Sequence, residues 1–180
     1  MPGTPQFLRR SSLYAASLLF AAAAAAQTSY KQESFHENVV FSGLVEPVAV
    51  RFLPDGRILV SEKSGLIKVF DSFDDPTAAV VADLRTQVFN HGDRGMLGLT
   101  VPPGFDPASP DEWRRYVYVL YSRDALPGGA APKWGVVGGT SDTCPSPPKG
   151  PGAGTDGCVV TGQLSRLLTT EYPWSEQMLL

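Results

Sequence analysis

The sequence predicts an all-β fold, and three observations support that prediction. The chain of 180 residues contains 18 glycines and 16 prolines, a content typical of short strands joined by turns. Apolar residues recur in short runs that alternate with polar ones, and helical spacing fits these runs badly. Turn sequences such as Pro-Asp-Gly separate the runs. The length suits one ordinary domain rather than two.

The N-terminal 26 residues have the pattern of a secretory signal peptide and are treated apart from the fold. Arg9 and Arg10 precede an apolar run, 13–26, which ends in small residues before Gln27. The run is short for a membrane span, which needs about 20 residues. An uncleaved anchor is the alternative, and "RRSSL" is also a weak twin-arginine signal. We expect a secreted or periplasmic protein with no membrane span after cleavage.

Charge and motifs exclude several function classes. The net charge is −3 and the 15 basic residues are scattered, so nothing predicts a nucleic-acid partner. The sequence has no G-x-S-x-G, Walker A, H-E-x-x-H or dinucleotide-binding fingerprint.

The clearest segment predicts an antiparallel meander. Apolar runs at 48–52, 58–60 and 66–69 are joined by the turns "LPDGR" and "EKSG", and a fourth run follows at 78–82. Four short strands are the usual content of one propeller blade. A single such sheet leaves an apolar face uncovered, so it must stack on a neighbour.

Further strands are predicted downstream, for a total of about seven. They lie at 96–99, at 114–122, whose alternating residues suggest burial on both faces, and at 162–170. The final "EYPWSEQMLL" is interpreted as an apolar tail without a capping turn. No convincing internal repeat is found.

A Gly/Pro-rich insert at 123–162 carries the two cysteines, Cys144 and Cys158. The sequence between them has too little apolar content to order itself, so we predict a disulfide that closes the loop. Export to an oxidising compartment agrees with this pairing. Two free thiols are the alternative, and a metal site is disfavoured because neither histidine is near in sequence.

A polar cluster at residues 90–95, hereafter the corner, is the candidate functional site. His91, Asp93 and Arg94 place a base, a carboxylate and a guanidinium on one short loop, and polar ligands need such paired donors and acceptors. The competing interpretation is structural: Arg94 pairs with Asp93 or a nearby carbonyl and fixes the corner.

Other polar and aromatic residues are interpreted as structural. His36 is expected in solvent, and the acidic cluster in "FDSFDDP", at 71–75, lacks the glycine-containing pattern of a calcium loop. Three tryptophans have the chemistry to stack on a sugar, but packing in the core or at its rim is more frequent; they are Trp113, Trp134 and Trp174.

Several motifs in order resemble the N-terminal part of the glucose/sorbosone dehydrogenase family, which is similar to the soluble quinoprotein sugar dehydrogenases. The similarity covers roughly residues 40–170, and the insert is similar to the cysteine-bearing insert of multidomain bacterial-type members. The first matching motif is "LPDG", represented here by Leu53 to Gly56, and the second is G-x-x-G-[LM]-L-G, represented by Gly92, Gly95, Met96, Leu97 and Gly98. A P-x-F turn follows at Pro103 and Phe105, and a tyrosine-rich strand contains Tyr116, Tyr118 and Tyr121.

The resemblance implies a six-bladed β-propeller, of which residues 27–180 would form about two blades. It implies oxidation of a sugar or other alcohol by hydride transfer to pyrroloquinoline quinone, with calcium and a catalytic histidine. The family's catalytic and cofactor-binding positions match no residue of this chain. Its substrate-pocket glutamine matches Asp93, a departure, and we predict Asp93 and Arg94 as substrate-binding residues.

The resemblance therefore predicts a fragment of a secreted oxidoreductase that is inactive alone. The alternative is a non-catalytic extracellular propeller that binds carbohydrate or protein. A small self-contained β domain is a third interpretation.

Overall fold

Short strands and one 3-10 turn make up the regular structure in the described part of the chain. The computed structural model describes residues 36–145, 153–154 and 157–180, and Val39–Leu180 forms one compact unit. The all-β prediction is confirmed. The predicted leader lies outside the described residues. The strands are β1 Pro47–Phe52, β2 Ile58–Glu62, β3 Leu66–Phe70, β4 Ala79–Asp83, β5 Met96–Thr100, β6 Tyr116–Arg123, β7 Ala153–Gly154, β8 Gly157–Cys158, β9 Thr161–Leu168 and β10 Ser175–Met178, with the 3-10 turn at Glu112–Arg115.

The first sheet is the predicted meander. Its strands are hydrogen-bonded in chain order, β1-β2-β3-β4, and every pair is antiparallel. The β1–β2 turn closes through a hydrogen bond from Gly56 N to Leu53 O of 3.0 Å, with Gly56 at a φ of 92°. Glycine reaches that φ without a steric penalty, which is why Asp-Gly marks the turn.

The second sheet repeats this arrangement with an insertion. Its order is β10-β9-β6-β5, again antiparallel throughout, and the insert separates β6 from β9. The two-stranded β7–β8 ladder lies within that insert. The segment interpreted as an apolar tail contains an edge strand that the sequence did not predict, because Ser175 to Met178 pair with β9 as its outer neighbour. Main-chain pairing needs no apolar side chain, so the polar "SEQ" concealed this edge strand.

One core lies between the two sheets, as the uncovered face of the first sheet required. β1 and β5, the first strands of their sheets, lie beside each other, so the sheets have the strand number and order of two propeller blades. The core is apolar and closely packed. Its largest fully buried members from the two sheets are Leu59, Ile67, Leu99, Val117, Val119, Tyr121 and Leu167.

The connection after β9 ties the outer strands of the two sheets together. Trp174 N donates to Val81 O at 2.8 Å, and the Trp174 ring is buried in the shared core. Tyr172 Oη donates to Val80 O at 3.0 Å. Both bonds reach β4 from the segment that leads into β10.

The opposite face of each sheet is only partly covered. On the first sheet, Val48, Val50 and Phe52 are exposed, and a groove of about 310 Å³ runs along β1. The prediction that β6 is buried on both faces is wrong in part, because Leu120 is 45% exposed. In a sheet with one packed face, the residues along a strand alternate between buried and exposed. Both faces of β6 carry aromatic or aliphatic residues, so its sequence does not show which face is the exposed one.

An N-terminal arm covers part of the first sheet's open face. The Phe41 ring stacks on buried Phe70 with centroids 3.9 Å apart. The arm is also held by Glu62, whose carboxylate accepts from Val45 N at 2.8 Å and from Lys68 Nζ at 2.5 Å. Residues 36–46 contain no strand, so the segment is an irregular arm that leads into β1.

Within residues 36–145, 153–154 and 157–180, the structure contains no helix with the length and apolar character needed to cross a membrane.

Candidate functional site

The corner connects the two sheets, and hydrogen bonds fix its ends. Phe89 N donates to Ser122 O at 2.8 Å, and Ser122 N donates to Gly95 O at 2.9 Å, so both ends lie against the end of β6. Between them, Arg94 N donates to His91 O at 3.1 Å and closes a tight turn. The corner is therefore a turn of fixed shape.

Gly95 allows the corner to pass close to the first sheet. Its φ is 138°, and a Cβ built there would lie 2.6 Å from Lys63 O. Met96 N donates to that same carbonyl at 2.8 Å. The glycine of the "G-x-x-G" motif is thus required by a backbone contact and by its φ.

A buried polar clasp joins the corner to the insert. Asn90 N donates to Asp142 Oδ2 at 2.7 Å, and Asp142 N donates back to Asn90 O at 2.9 Å. Asn90 Nδ2 donates to Thr140 O at 2.5 Å. Asn90 and Asp142 are both buried, so the ion–amide bond is shielded from water and strengthened.

The imidazole of His91 is held by the same clasp. Its Nδ1 lies 3.0 Å from Asp142 O, and the residue as a whole is exposed. The Phe89 ring lies 5.9 Å away, centroid to centroid. One ring nitrogen is thus fixed against the insert.

The guanidinium of Arg94 reaches the second arm of the insert. Its Nη1 donates to Cys158 O at 2.5 Å, and its Cζ lies 5.7 Å from the Phe89 ring centroid. The structural interpretation named a nearby carbonyl as the partner of Arg94, and Cys158 O is such a carbonyl. A guanidinium has five N–H donors, and this bond uses one of them.

The Cys144–Cys158 disulfide predicted from the sequence is present, with the two Cα atoms 5.7 Å apart. It lies two residues beyond Asp142 and includes the residue that accepts from Arg94. The cross-link therefore joins the two arms of the insert that hold the corner.

The carboxylate of Asp93 lies at the exposed tip of the corner. The structure therefore brings the three predicted residues onto one turn but separates their surroundings. His91 and Arg94 are tied to the insert, whereas Asp93 is open to solvent.

A second buried carboxylate, Asp124, organises the first half of the insert. It accepts from Trp134 N at 2.9 Å and from Gly135 N at 2.7 Å, and it is 1% exposed. Main-chain N–H groups compensate the charge of such a carboxylate. This part of the insert is thus ordered by polar contacts.

The remaining candidates lie apart from the corner. The acidic turn at 71–75 satisfies its own backbone, for example by Thr77 N donating to Asp75 Oδ1 at 2.9 Å. Trp113 is exposed, Trp134 Nε1 donates to Val159 O at 3.0 Å, and Trp174 is in the core. His36 is exposed. In the described part of the chain, no three His, Cys, Asp or Glu side chains are grouped to hold a metal ion.

Sequence reasoning missed Asn90, Asp142 and Asp124. Asn90 opens the corner motif, and Asp142 precedes the first cysteine by two residues, so both lie next to positions that the sequence singled out. An aspartate in a Gly-rich loop is a signal for capping backbone N–H groups. The hydrogen-bond partner of Asp142 is Asn90, 52 residues away, and no local sequence pattern indicates that contact.

No curated protein matches this sequence significantly. Among solved structures, the chain is similar to a protein described as an oxidoreductase (glucose dehydrogenase) from Thermus thermophilus. The two share 24% sequence identity with a TM-score of 0.48. The match covers 77% of this chain and 29% of that one, so this chain spans less than a third of its length.

The model of the Glucose / Sorbosone dehydrogenase family matches residues 44–139. The matched segment contains the whole first sheet, the corner, and strands β5 and β6. It makes up more than half of the chain, and it includes the motifs on which the resemblance was based. This chain therefore belongs to the glucose/sorbosone dehydrogenase family.

Proposed function

We propose that this protein is part of a secreted quinoprotein that oxidises a sugar or other alcohol, and that the corner contributes to its substrate pocket. The family match across residues 44–139 is the observation that carries this proposal. The fixed shape of the corner supports it, because a binding loop must hold its polar groups in place to be selective.

The described residues show no cluster suited to the calcium that the family implies. Calcium takes six to eight oxygen ligands, and no group of three His, Cys, Asp or Glu side chains converges within the described ranges. We therefore place no calcium on these residues, and we derive no step through calcium or pyrroloquinoline quinone. We propose that the chain alone does not oxidise sugars.

The corner residues would act on the substrate by hydrogen bonding. The exposed Asp93 carboxylate accepts a hydrogen bond from a substrate hydroxyl, and charge-assisted bonds of this kind are stronger than neutral ones. Arg94 donates through an N–H group not bound to Cys158 O. We propose these two as substrate-binding residues.

The activity is tested with two polypeptides. The purified 180-residue chain, supplied with pyrroloquinoline quinone, calcium and glucose, should give no sugar-dependent dye reduction. A longer polypeptide that begins with this sequence and spans the length of a family member should reduce the dye. Activity of the short chain would overturn the proposal of inactivity, and failure of the long one with every aldose tested would overturn the oxidoreductase.

Secretion is a separate part of the proposal. Cell fractionation should find the protein outside the cytoplasm, and N-terminal sequencing should begin at Gln27. A cytoplasmic protein that retains Met1 would contradict it.

A second candidate function, a non-catalytic carbohydrate- or protein-binding module, is favoured by Asp93. The charge of this residue adds negative potential where the family has a neutral glutamine and where a quinone must gain electron density. Binding of the long polypeptide to immobilised glycans, with no dye reduction before or after Asp93→Gln substitution, would favour this function.

A further inference from the structure

We propose that His91 is a hydroxyl-binding residue of the corner, with its Nε2 atom held as a hydrogen-bond acceptor by Asp142. This inference rests on the proposed function, since its ligand is the sugar or alcohol. It adds a residue to Asp93 and Arg94, and it assigns Asp142 as the residue that positions the ring.

The chemistry of the contact determines the tautomer. A main-chain carbonyl only accepts hydrogen bonds, and Asp142 O lies 3.0 Å from His91 Nδ1. Nδ1 must therefore carry the proton in this contact. In the neutral ring the other nitrogen, Nε2, then has a lone pair and accepts.

The clasp prevents the carbonyl from moving away. Asp142 exchanges hydrogen bonds with Asn90 through both its carboxylate and its N–H group, at 2.7 and 2.9 Å. Asn90 directly precedes His91, so ring and carbonyl are fixed to the same buried pair. Rotating the ring to present Nδ1 outward would break the bond to Asp142.

The exposed groups define the class of ligand. His91 and Asp93 lie two residues apart on one turn, and both are exposed. Together they offer a neutral acceptor and an anionic acceptor. Hydroxyl groups donate to both, whereas an ionised carboxylate has no proton to donate to either acceptor. A ligand with neighbouring hydroxyls, such as an aldose, fits this pair.

The tautomer is measured by NMR on the 180-residue chain labelled with ¹⁵N-histidine. The chain has two histidines, so His36→Gln leaves His91 as the one signal to assign. At a pH above the usual titration range of histidine, Nδ1 should be pyrrole-like and Nε2 pyridine-like. A neutral ring with its proton on Nε2 would overturn the proposal.

Ligand binding is measured by titrating D-glucose into the same sample. The His91 Nε2 resonance should shift as the acceptor is used. In calorimetric titrations of glucose into the wild-type chain and its single variants, His91→Phe should weaken glucose binding about five-fold, the loss expected for one neutral hydrogen bond. His91→Gln, which keeps an acceptor, should restore part of the affinity, and His36→Phe should change nothing. Equal affinity of wild type and His91→Phe, or no shift at Nε2, would overturn the proposal.

The role of Asp142 is tested by Asp142→Asn. The loss of charge weakens the bond from Asn90 N, so a fraction of His91 with the proton on Nε2 should appear in the spectrum. An unchanged His91 spectrum would show that Asp142 does not position the ring. Both NMR readouts are independent of dye reduction, so failure of the dye-reduction assay leaves them standing, and failure of the NMR tests leaves that assay standing.

Discussion

At the scale of single residues, two features of this protein depend on contacts that a matched variant can isolate. One is the close approach of Gly95 to Lys63 O, and the other is the buried ion pair of Glu62 and Lys68. Each has a counterpart elsewhere in the chain that shares its local chemistry and lacks its tertiary surroundings.

We predict that Gly95→Ala destabilises the protein by about 3 kcal/mol or more, because the new Cβ meets Lys63 O at a φ unfavourable to alanine. Gly56→Ala is the control, since Gly56 also has a positive φ but open space around it. Its cost should be about 1 kcal/mol. Urea unfolding measures both, and equal losses would contradict the role of the Lys63 contact.

We predict that Lys68→Met costs about 3 kcal/mol, because it leaves the carboxylate of Glu62 buried without its cation. The Glu62 side chain is 2% exposed, and the Lys68 side chain is 15% exposed. Arg85→Met removes an equivalent partner from exposed Asp83 and should cost less than about 1 kcal/mol. A loss for Lys68→Met no larger than that for Arg85→Met would be the contrary result in denaturant unfolding.

At the scale of elements, the two sheets differ in what joins their outer strands. The first sheet is a continuous meander of four consecutive strands. In the second sheet, a side-chain hydrogen bond helps to hold the edge strand β10. Tyr121 on β6 donates to Glu176 on β10 at 2.6 Å, across the intervening β9. Burial, followed by this bond to Glu176, raises the pKa of Tyr121 well above its ordinary value.

We predict that this tyrosine makes stability fall at alkaline pH. Because the folded protein holds the proton more tightly than the unfolded chain, its contribution is complete below the usual tyrosine pKa of about 10 and declines above it. Urea unfolding at about pH 8 and about pH 11 should show a smaller decline in Tyr121→Phe than in wild type. Tyr118→Phe, on the opposite face of β6, is the control, and an unchanged decline in Tyr121→Phe would refute the prediction.

The disulfide and the corner should behave as one element. The double variant Cys144→Ser/Cys158→Ser should lose about 3 kcal/mol by the loop-entropy account. It should also raise hydrogen exchange at residues 90–94 about ten-fold or more, because the two arms that hold the corner are no longer joined. The β2–β3 hairpin is the internal reference and should keep its protection. Equal changes in both regions, or no change at the corner, would show that the disulfide does not specifically stabilise the corner.

At the scale of the whole molecule, the open apolar faces are the main feature. The two sheets cover one face each in their shared core, while exposed apolar side chains remain on β1 and β6. Contiguous apolar surface of this kind marks a place where other protein surface packs. This is what a part of a larger propeller would present, in agreement with the proposed function.

We predict that the 180-residue chain binds a hydrophobic dye through the first sheet's open face. Val50→Thr/Phe52→Ser should lower the dye fluorescence and change stability by less than about 1 kcal/mol, because both side chains are exposed. Val137→Ser, in the insert, removes a comparably exposed apolar group and should leave the fluorescence nearly unchanged. A wild-type chain that binds no dye would contradict the prediction.

Local chemistry was enough to predict much of the fold. Proline, Asp-Gly and alternating apolar residues act over a few positions, so the meander of β1 to β4 and the strands β5, β6 and β9 could be predicted from the sequence. The disulfide followed from the composition of the loop between its two cysteines. The corner was found because chemistry-bearing residues and glycines lie close together along the chain.

Only the tertiary structure decided what those residues do. It placed Asp142 and Cys158, from two arms of the insert, against the corner, and so fixed His91 and Arg94 while leaving Asp93 exposed. It also added β10, whose main chain pairs without an apolar signal. The local sequence pattern indicates where a segment turns and which face of a strand is apolar. Partners 51 to 64 residues apart meet only when the insert folds against the corner, and no spacing in the sequence encodes that meeting.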